Sequence, residues 1–270
     1  MTGLTIRHLT AGYGRRTVFK SLSAGPFSPG QITAIIGPNG SGKSTLLKAI
    51  AGLLKPDSGV VMLDDQELTR QSFADRAHWV AYLPQSPPPA IRLSVLESVL
   101  VAARASNPFL EGPIPLSAAG AQGVLQQLDM AALALTPLNR LSGGQRQLAG
   151  LAQAMVRQPR LLLLDEPLSS LDLRHQWQVM SLLAQETRER ALITLIVLHD
   201  LNAVLQHCDQ ALLLHGGQAV CQGRPTEVIT PRALADHYGI TARVEPGTHG
   251  IPHVTIDGPY PLTSHASNFG

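Results

Sequence analysis

The sequence of 270 residues lacks several features that would indicate particular classes of protein. It has two cysteines, Cys208 and Cys221, which form neither a metal-binding spacing nor a disulfide framework. This usage is typical of a reducing compartment. Apolar residues never run uninterrupted for the roughly 18 positions that a membrane-spanning helix needs. If the protein works at a membrane, another chain must therefore cross that membrane.

Net charge and aromatic residues are also scarce. A net charge of +2 gives no basic surface for nucleic acid, and an aromatic content of 4% leaves few stacking platforms for single strands. We therefore expect no nucleic-acid partner. The first ten residues lack the charged-then-apolar pattern of a signal peptide, so we also expect a cytoplasmic protein.

What the sequence does contain is a complete phosphate-binding loop of the form G-x-x-x-x-G-K-[ST], between an apolar run and a helix-like run. Its glycines let backbone N–H groups converge on a triphosphate, and the following helix start favours anions. Lys43 adds a positive charge and Ser44 a hydroxyl for Mg²⁺. The predicted nucleotide-binding residues are Gly37, Pro38, Asn39, Gly40, Ser41, Gly42, Lys43, Ser44 and Thr45.

Alternating apolar residues before this loop predict a small antiparallel sheet. Tyr13 lies there between Gly12 and Gly14, just ahead of the nucleotide loop. Its ring either stacks on adenine or packs on its own hairpin, and the residues alone leave both interpretations open.

Polar groups follow three further predicted strands. Gln85 follows a strand over 79–83, Asp165 and Glu166 end a run of four leucines, and His199 ends a buried strand over 192–198. Open α/β sheets bind ligands at the carboxyl ends of their strands. There Asp165 can hold Mg²⁺, Glu166 can deprotonate water, and Gln85 and His199 can contact the metal, the water or a phosphate. The alternatives are a capping acid pair, a solvated glutamine and a structural histidine.

Residues 86 to about 158 predict a helical subdomain inserted in the alternating α/β chain, with helices near 95–105, 118–128 and 130–135. Within it, Ser142, Gly143, Gly144 and Gln145 precede a helical run over 147–156. This is a second helix start that can hold an anion, or an ordinary N-cap. A head-to-tail pair of copies would set it against the phosphate held by Lys43 of the other copy.

In this order, and over almost the whole chain, the motifs resemble the ATP-binding cassette (ABC) family. The resemblance identifies an A-loop at Tyr13, a Walker A at 37–45, a Q-loop at Gln85, a signature sequence at 141–145, a Walker B with the catalytic glutamate at 161–166, a D-loop at 170–172 and a switch histidine at His199.

The resemblance implies an α/β fold: a RecA-like P-loop NTPase core with a mostly parallel sheet, an N-terminal antiparallel β subdomain and an inserted α-helical subdomain. The ATPase domain would span 1–240, followed by a short C-terminal tail, 241–270. Two copies would sandwich ATP. Lys43, Gln85, Glu166 and His199 would carry catalysis, and Ser44, Gln85 and Asp165 would hold Mg²⁺.

Several stretches, among them 82–85, 171–176 and 198–202, look like importer ATPases for ferric siderophores, haem and cobalamin. That group implies two permease subunits, a substrate-binding protein, a homodimer of ATPase subunits and a peripheral position on the cytoplasmic face of the inner membrane. Residues 103–108 and the triple proline at 87–89 depart from the pattern, where a permease is expected to bind.

Other functions are compatible with parts of this pattern. The chain could serve another ABC transporter, either an amino-acid importer or an exporter. A soluble ABC ATPase of DNA repair or translation is disfavoured by the short insert and the near-neutral charge. A binding-only cassette is disfavoured because Lys43, Gln85, Asp165, Glu166 and His199 are all present.

Overall fold

The computed structural model describes residues 3–86, 92–105, 118–247 and 250–260. The loop predicted over 107–115, the triple proline and residues 106–108 of the unusual 103–108 segment lie outside these residues. In the described ranges, no helix combines the length and apolar character needed to cross a membrane.

The chain alternates strands and helices. The strands are β1 (Leu4–Tyr13), β2 (Arg16–Phe27), β3 (Gln31–Ile36), β4 (Ser58–Leu63), β5 (Gln66–Glu67), β6 (Val80–Leu83), β7 (Leu161–Asp165), β8 (Ile193–Val197), β9 (Gln210–His215), β10 (Gln218–Gly223), β11 (Ile240–Pro246) and β12 (Pro252–Pro259). The α-helices are α1 (Lys43–Ala51), α2 (Phe73–Arg76), α3 (Val95–Ala105), α4 (Ala118–Gln127), α5 (Gly143–Val156), α6 (Leu173–Glu189), α7 (Leu201–His207), α8 (Pro225–Val228) and α9 (Pro231–Tyr238).

The central sheet has the strand order β10-β9-β3-β8-β7-β6. All neighbours pair in parallel except the edge strand β10, which is antiparallel to β9. The predicted parallel core is thus confirmed. A second sheet, β2-β1-β4-β5, is antiparallel and forms the predicted N-terminal subdomain.

Both faces of the central sheet are covered, which explains its continuous apolar strands. In β7, Leu162 and Leu164 belong to a core shared with α3, α4, α5 and α6. Leu161 and Leu163 point to the opposite core, which contains α1 and the antiparallel sheet. The uninterrupted run of leucines therefore packs into two cores, one on each face of the sheet.

The helical subdomain is built from α3, α4 and α5, which pack on one another. Two details differ from the sequence prediction. The segment near 130–135 is a 3-10 turn, Ala131–Leu133, rather than an α-helix. The helix predicted from 147 begins at Gly143, because the Ser142 hydroxyl accepts a hydrogen bond from the Gln145 N–H and caps the first turn.

The C-terminal segment, read from the sequence as a short tail, contains the hairpin β11-β12. The hairpin is tied to α7 by Asn202. The Asn202 side chain accepts from the Val254 N–H at 2.7 Å and donates to the Val254 carbonyl at 3.3 Å. Val254 and Ala242 are buried in the core that contains α7. The sequence reading missed this hairpin because prolines and glycines interrupt its alternating pattern.

Candidate active site

The strand order gathers the predicted polar residues at one edge of the sheet. β3, β8, β7 and β6 are consecutive neighbours. The phosphate loop follows β3, His199 follows β8, Asp165 ends β7 and Gln85 follows β6. Because parallel strands point the same way, all of these groups lie at the carboxyl edge.

The phosphate loop adopts a backbone that favours glycine. Gly37, Gly40 and Gly42 have φ values of 142°, 79° and 104°. A Cβ atom on Gly37 would lie 2.1 Å from the Leu214 carbonyl oxygen, and one on Gly42 would lie 2.7 Å from the Phe19 ring. The close approach of β9 and β2 therefore fixes the loop between them.

Lys43 closes this loop from inside. Its ammonium donates to the carbonyl oxygens of Gly37 at 2.8 Å and Pro38 at 3.0 Å. Burial lowers the pKa of Lys43, and the nearby carboxylates of Glu166 and Asp165 oppose that shift. The cation is thus held beside the acids at the phosphate loop.

Asp165 is a buried carboxylate, 2% exposed. It accepts hydrogen bonds from the Ser44 hydroxyl at 2.9 Å and the Tyr82 hydroxyl at 3.2 Å. Burial raises the pKa of the Asp165 carboxyl, and these two hydrogen bonds partly offset that effect. Burial likewise raises the pKa of Tyr82. Tyr82 was not predicted as a site residue, because an aromatic residue within a strand is typical of a core position.

Glu166 is the centre of a second cluster. One carboxylate oxygen accepts from the Gln85 amide at 2.7 Å and the other from the His199 ring at 2.6 Å. Its backbone has a φ of 52°, unusual for a non-glycine residue, and Gln147 donates to its carbonyl at 3.0 Å. Side chains from two separate segments thus fix the Glu166 carboxylate, and a third fixes its backbone. The resemblance implied that Gln85 contacts Mg²⁺; here its amide nitrogen contacts Glu166.

Gln147 was also missed, although a signal exists. It is 2% exposed on an otherwise apolar helix face. A polar side chain at a buried position needs a hydrogen-bond partner. Here the partner is the backbone carbonyl of Glu166.

The second predicted anion site, Ser142 to Gln145, is folded as a capping box at the start of α5. Its glycines lie against the turn that contains Ser170: a Cβ on Gly144 would be 2.7 Å from the Ser170 carbonyl oxygen. The signature and D-loop segments of one chain thus contact each other. Tyr13, at the end of β1, is 48% exposed, so its hairpin does not bury it.

The residues present fit a phosphate and a magnesium ion. The Ser41 hydroxyl is buried in the loop and has no hydrogen-bond partner in the described part of the chain, so its donor is available to a phosphate beside Lys43. Ser44 and Asp165 bring two hard oxygen donors together, as Mg²⁺ requires.

A strand, a phosphate loop and a helix, with an acidic pair at the end of β7 two strands away in the sheet, together define a P-loop nucleoside triphosphatase. Comparison with protein-family models matches residues 22–169 to the ABC transporter family. Since that match spans more than half of the chain, the protein belongs to the ABC transporter family.

Individual relatives cover nearly the whole chain. The achromobactin transport ATP-binding protein CbrD of Dickeya dadantii is 35% identical over 91% of this chain and 91% of the relative. The iron(3+)-hydroxamate import ATP-binding protein FhuC of Bacillus subtilis is 34% identical over 95% of this chain and 96% of the relative.

Among solved structures, a transporter assigned to the metal-chelate type, in an inward-facing conformation, superposes with a TM-score of 0.78 at 27% identity. The match covers 95% of this chain and 98% of that one. A nucleotide-free ATP-binding cassette gives a TM-score of 0.75 at 26% identity, over 87% of this chain and 98% of the other. These matches confirm the predicted fold class.

Proposed function

We propose that this chain is the ATP-hydrolysing subunit of an ABC importer that takes up an iron chelate, a ferric siderophore or a related haem or cobalamin-type cargo. The geometry of Glu166, held between Gln85 and His199 beside the phosphate loop, supports hydrolysis. Relatives of this chain are named for achromobactin transport, iron(3+)-hydroxamate import and hemin import, and these names support the cargo class.

In this proposal the triphosphate lies on the loop from Gly37 to Thr45. Lys43 exchanges its bonds to the Gly37 and Pro38 carbonyls for phosphate oxygens, and the Ser41 hydroxyl gains a partner. Mg²⁺, when bound, neutralises charge on the phosphates. Ser44 and Asp165 would hold it, with the Gln85 carbonyl as a further ligand.

Glu166 would act as the general base. It takes a proton from the water that attacks the γ-phosphorus in line, as the bond to the ADP oxygen breaks. The donors Gln85 and His199 orient the carboxylate. In this proposal His199 would also donate to the γ-phosphate. The left-handed backbone at Glu166 contributes to the same positioning.

A second copy completes the site in this proposal. The start of the 14-residue helix α5, with Ser142, Gly143, Gly144 and Gln145, offers backbone N–H groups and a positive dipole end to an anion. In a head-to-tail homodimer these groups bind the γ-phosphate held by the other copy. Tyr13 would stack on the adenine.

The assembly we propose places the dimer on the cytoplasmic face of the inner membrane. Two permease subunits cross the membrane, and a substrate-binding protein delivers the cargo to them. We include no nucleic-acid partner, in keeping with the low net charge.

The first test is Glu166→Gln, with Glu189→Gln as the control at an exposed glutamate. Loss of a general base lowers kcat by about 10²–10⁴-fold. We expect ATP affinity to be retained, because the phosphate loop is unchanged. A Glu166→Gln protein with normal kcat would contradict the assignment of the base.

The second test concerns the cargo. The chain is reconstituted in liposomes with its permease and binding protein, and ATPase activity is measured with ferric siderophores, haem, cobalamin and amino acids. Stimulation by one chelate, absent in Glu166→Gln, supports the proposal. Stimulation only by an amino acid, or by a substrate moving outward, would leave the ATPase and reject the cargo.

A further inference from the structure

Two histidines from distant segments meet beside the phosphate loop. His215 ends β9 and His237 lies in the last turn of α9. Their ring centroids are 5.0 Å apart and the rings are tilted by 53° rather than stacked. Both keep some exposure to solvent. Neither residue has a part in the ATPase mechanism above.

Two imidazoles bound to one metal ion would have the same centroid spacing. With each ligating nitrogen about 2.0–2.1 Å from zinc, two rings on a tetrahedral ion have centroids roughly 5 Å apart. Imidazole favours Zn²⁺, Ni²⁺ and Cu²⁺ over Mg²⁺. In the described part of the chain no cluster of three or more His, Cys, Asp or Glu side chains surrounds such a position. Water would therefore complete the coordination.

The same two segments hold the first glycine of the phosphate loop. Leu214 is adjacent to His215. Its carbonyl oxygen would lie only 2.1 Å from a Cβ atom placed on Gly37. Tyr238, adjacent to His237, accepts a hydrogen bond from the Gly37 N–H, which partly offsets the rise of its pKa by burial to about 12. Each histidine is thus one residue away from a direct contact with Gly37.

We propose that His215 and His237 form a two-histidine site for a divalent transition metal. The bound metal ties the end of β9 to the end of α9 across Gly37 and so changes the affinity of the loop for nucleotide. The metal-binding part is independent of the proposed transport function.

Zn²⁺ binding is measured by titration calorimetry on the full, untagged chain, since a histidine tag would bind the probe. The variants are His215→Asn and His237→Asn, and the control is His253→Asn at an exposed histidine of β12. Because the chain has 10 histidines, the difference between proteins is the informative quantity. We expect each test variant to lose one Zn²⁺ equivalent or to bind it at least about tenfold more weakly, while the control matches wild type.

The second readout is the affinity for Mg-ATP with and without Zn²⁺. We expect Zn²⁺ to change this affinity several-fold in wild type and not at all in His237→Asn. Equal Zn²⁺ binding in all four proteins would overturn the site, and a site without any effect on nucleotide affinity would overturn the coupling. Unchanged nucleotide affinity of the variants without Zn²⁺ shows that they are folded and that the ATPase proposal stands separately.

Discussion

The charge of Asp165 is proposed to bind Mg²⁺, but because it is buried it also destabilises the fold. A single substitution can test this. Its carboxylate is 2% exposed, and burial raises its pKa. In the absence of nucleotide, the neutral hydroxyls of Ser44 and Tyr82 donate hydrogen bonds to it, and the Lys43 ammonium lies nearby. Asp165→Asn keeps the shape and removes the charge. We expect the variant to be more stable than wild type without nucleotide.

The magnitude follows from three contributions. Removing a buried charge relieves a penalty of several kcal/mol. Converting two hydrogen bonds with a charged acceptor into neutral ones loses about 1 kcal/mol each. Losing the attraction between Asp165 and the nearby Lys43 ammonium reduces the gain further. The net gain in unfolding free energy is therefore on the order of 1 kcal/mol, and each kcal/mol raises the melting temperature of a 150–250-residue domain by about 2–4 °C.

Ligand and pH should each remove this advantage. Mg-ATP should stabilise wild type more than Asp165→Asn, by about 1.4 kcal/mol for every tenfold loss of affinity in the variant. A raised carboxyl pKa means that the ionised form is penalised in the folded state. The penalty is therefore present above the raised pKa and disappears as the pH falls below the ordinary carboxyl range. The two melting curves should converge in acid.

The assay is thermal unfolding of both proteins from neutral to acidic pH, with and without Mg-ATP. Asp236→Asn, at an exposed helix position where the carboxylate pairs with Arg232, is the control and should match wild type. The reasoning is refuted if Asp165→Asn is less stable than wild type at neutral pH without nucleotide, or if the difference does not change with pH.

Two further substitutions test the packing around the site. Gly144→Ala places a Cβ 2.7 Å from the Ser170 carbonyl oxygen, whereas Gly123→Ala, the control in α4, places one more than 4 Å from every described atom outside its own helix. Steady-state assays should show ATPase activity lowered at least about tenfold in the first and nearly unchanged in the second; equal activities would contradict the contact. Asn202→Ala removes both hydrogen bonds to Val254, and we expect a loss of about 1–3 kcal/mol. Amide exchange at Val254 should accelerate, while Asn139→Ala, at an exposed site, should leave it unchanged; slow exchange in Asn202→Ala would show that the hairpin is held by other contacts.

The central sheet was predictable because its sequence signal is strong. A run such as Leu161 to Leu164 fits a strand covered on two faces, and the acids that follow it mark the carboxyl edge. That rule placed the residues after β6, β7 and β8 at the edge of the sheet where ligands bind. The structure brings Gln85, Glu166 and His199 within hydrogen-bond distance.

What could not be predicted depends on contacts between segments that are distant in sequence. Tyr82 contacts Asp165 only because β6 and β7 pair in register, with Tyr82 opposite Leu163. The His215–His237 pair depends on where α9 packs, which no local pattern specifies. The hairpin β11-β12 is tied to α7 by Asn202 and packs on the core through Val254, and its own sequence reveals neither partner.

The position of β3 in the sheet has a consequence for how the protein is made. β3 is completed at Ile36, yet its two neighbours are β8, which begins at Ile193, and β9, which ends at His215. During synthesis, the strand from Ile32 to Ile36 therefore has both edges unpaired until β8 and β9, near the end of the chain, have left the ribosome. A fragment that stops before Ile193 exposes that strand as a template for aggregation. The phosphate loop is near the start of the sequence, yet it is among the last parts of the molecule to form its native contacts, because it packs on β9.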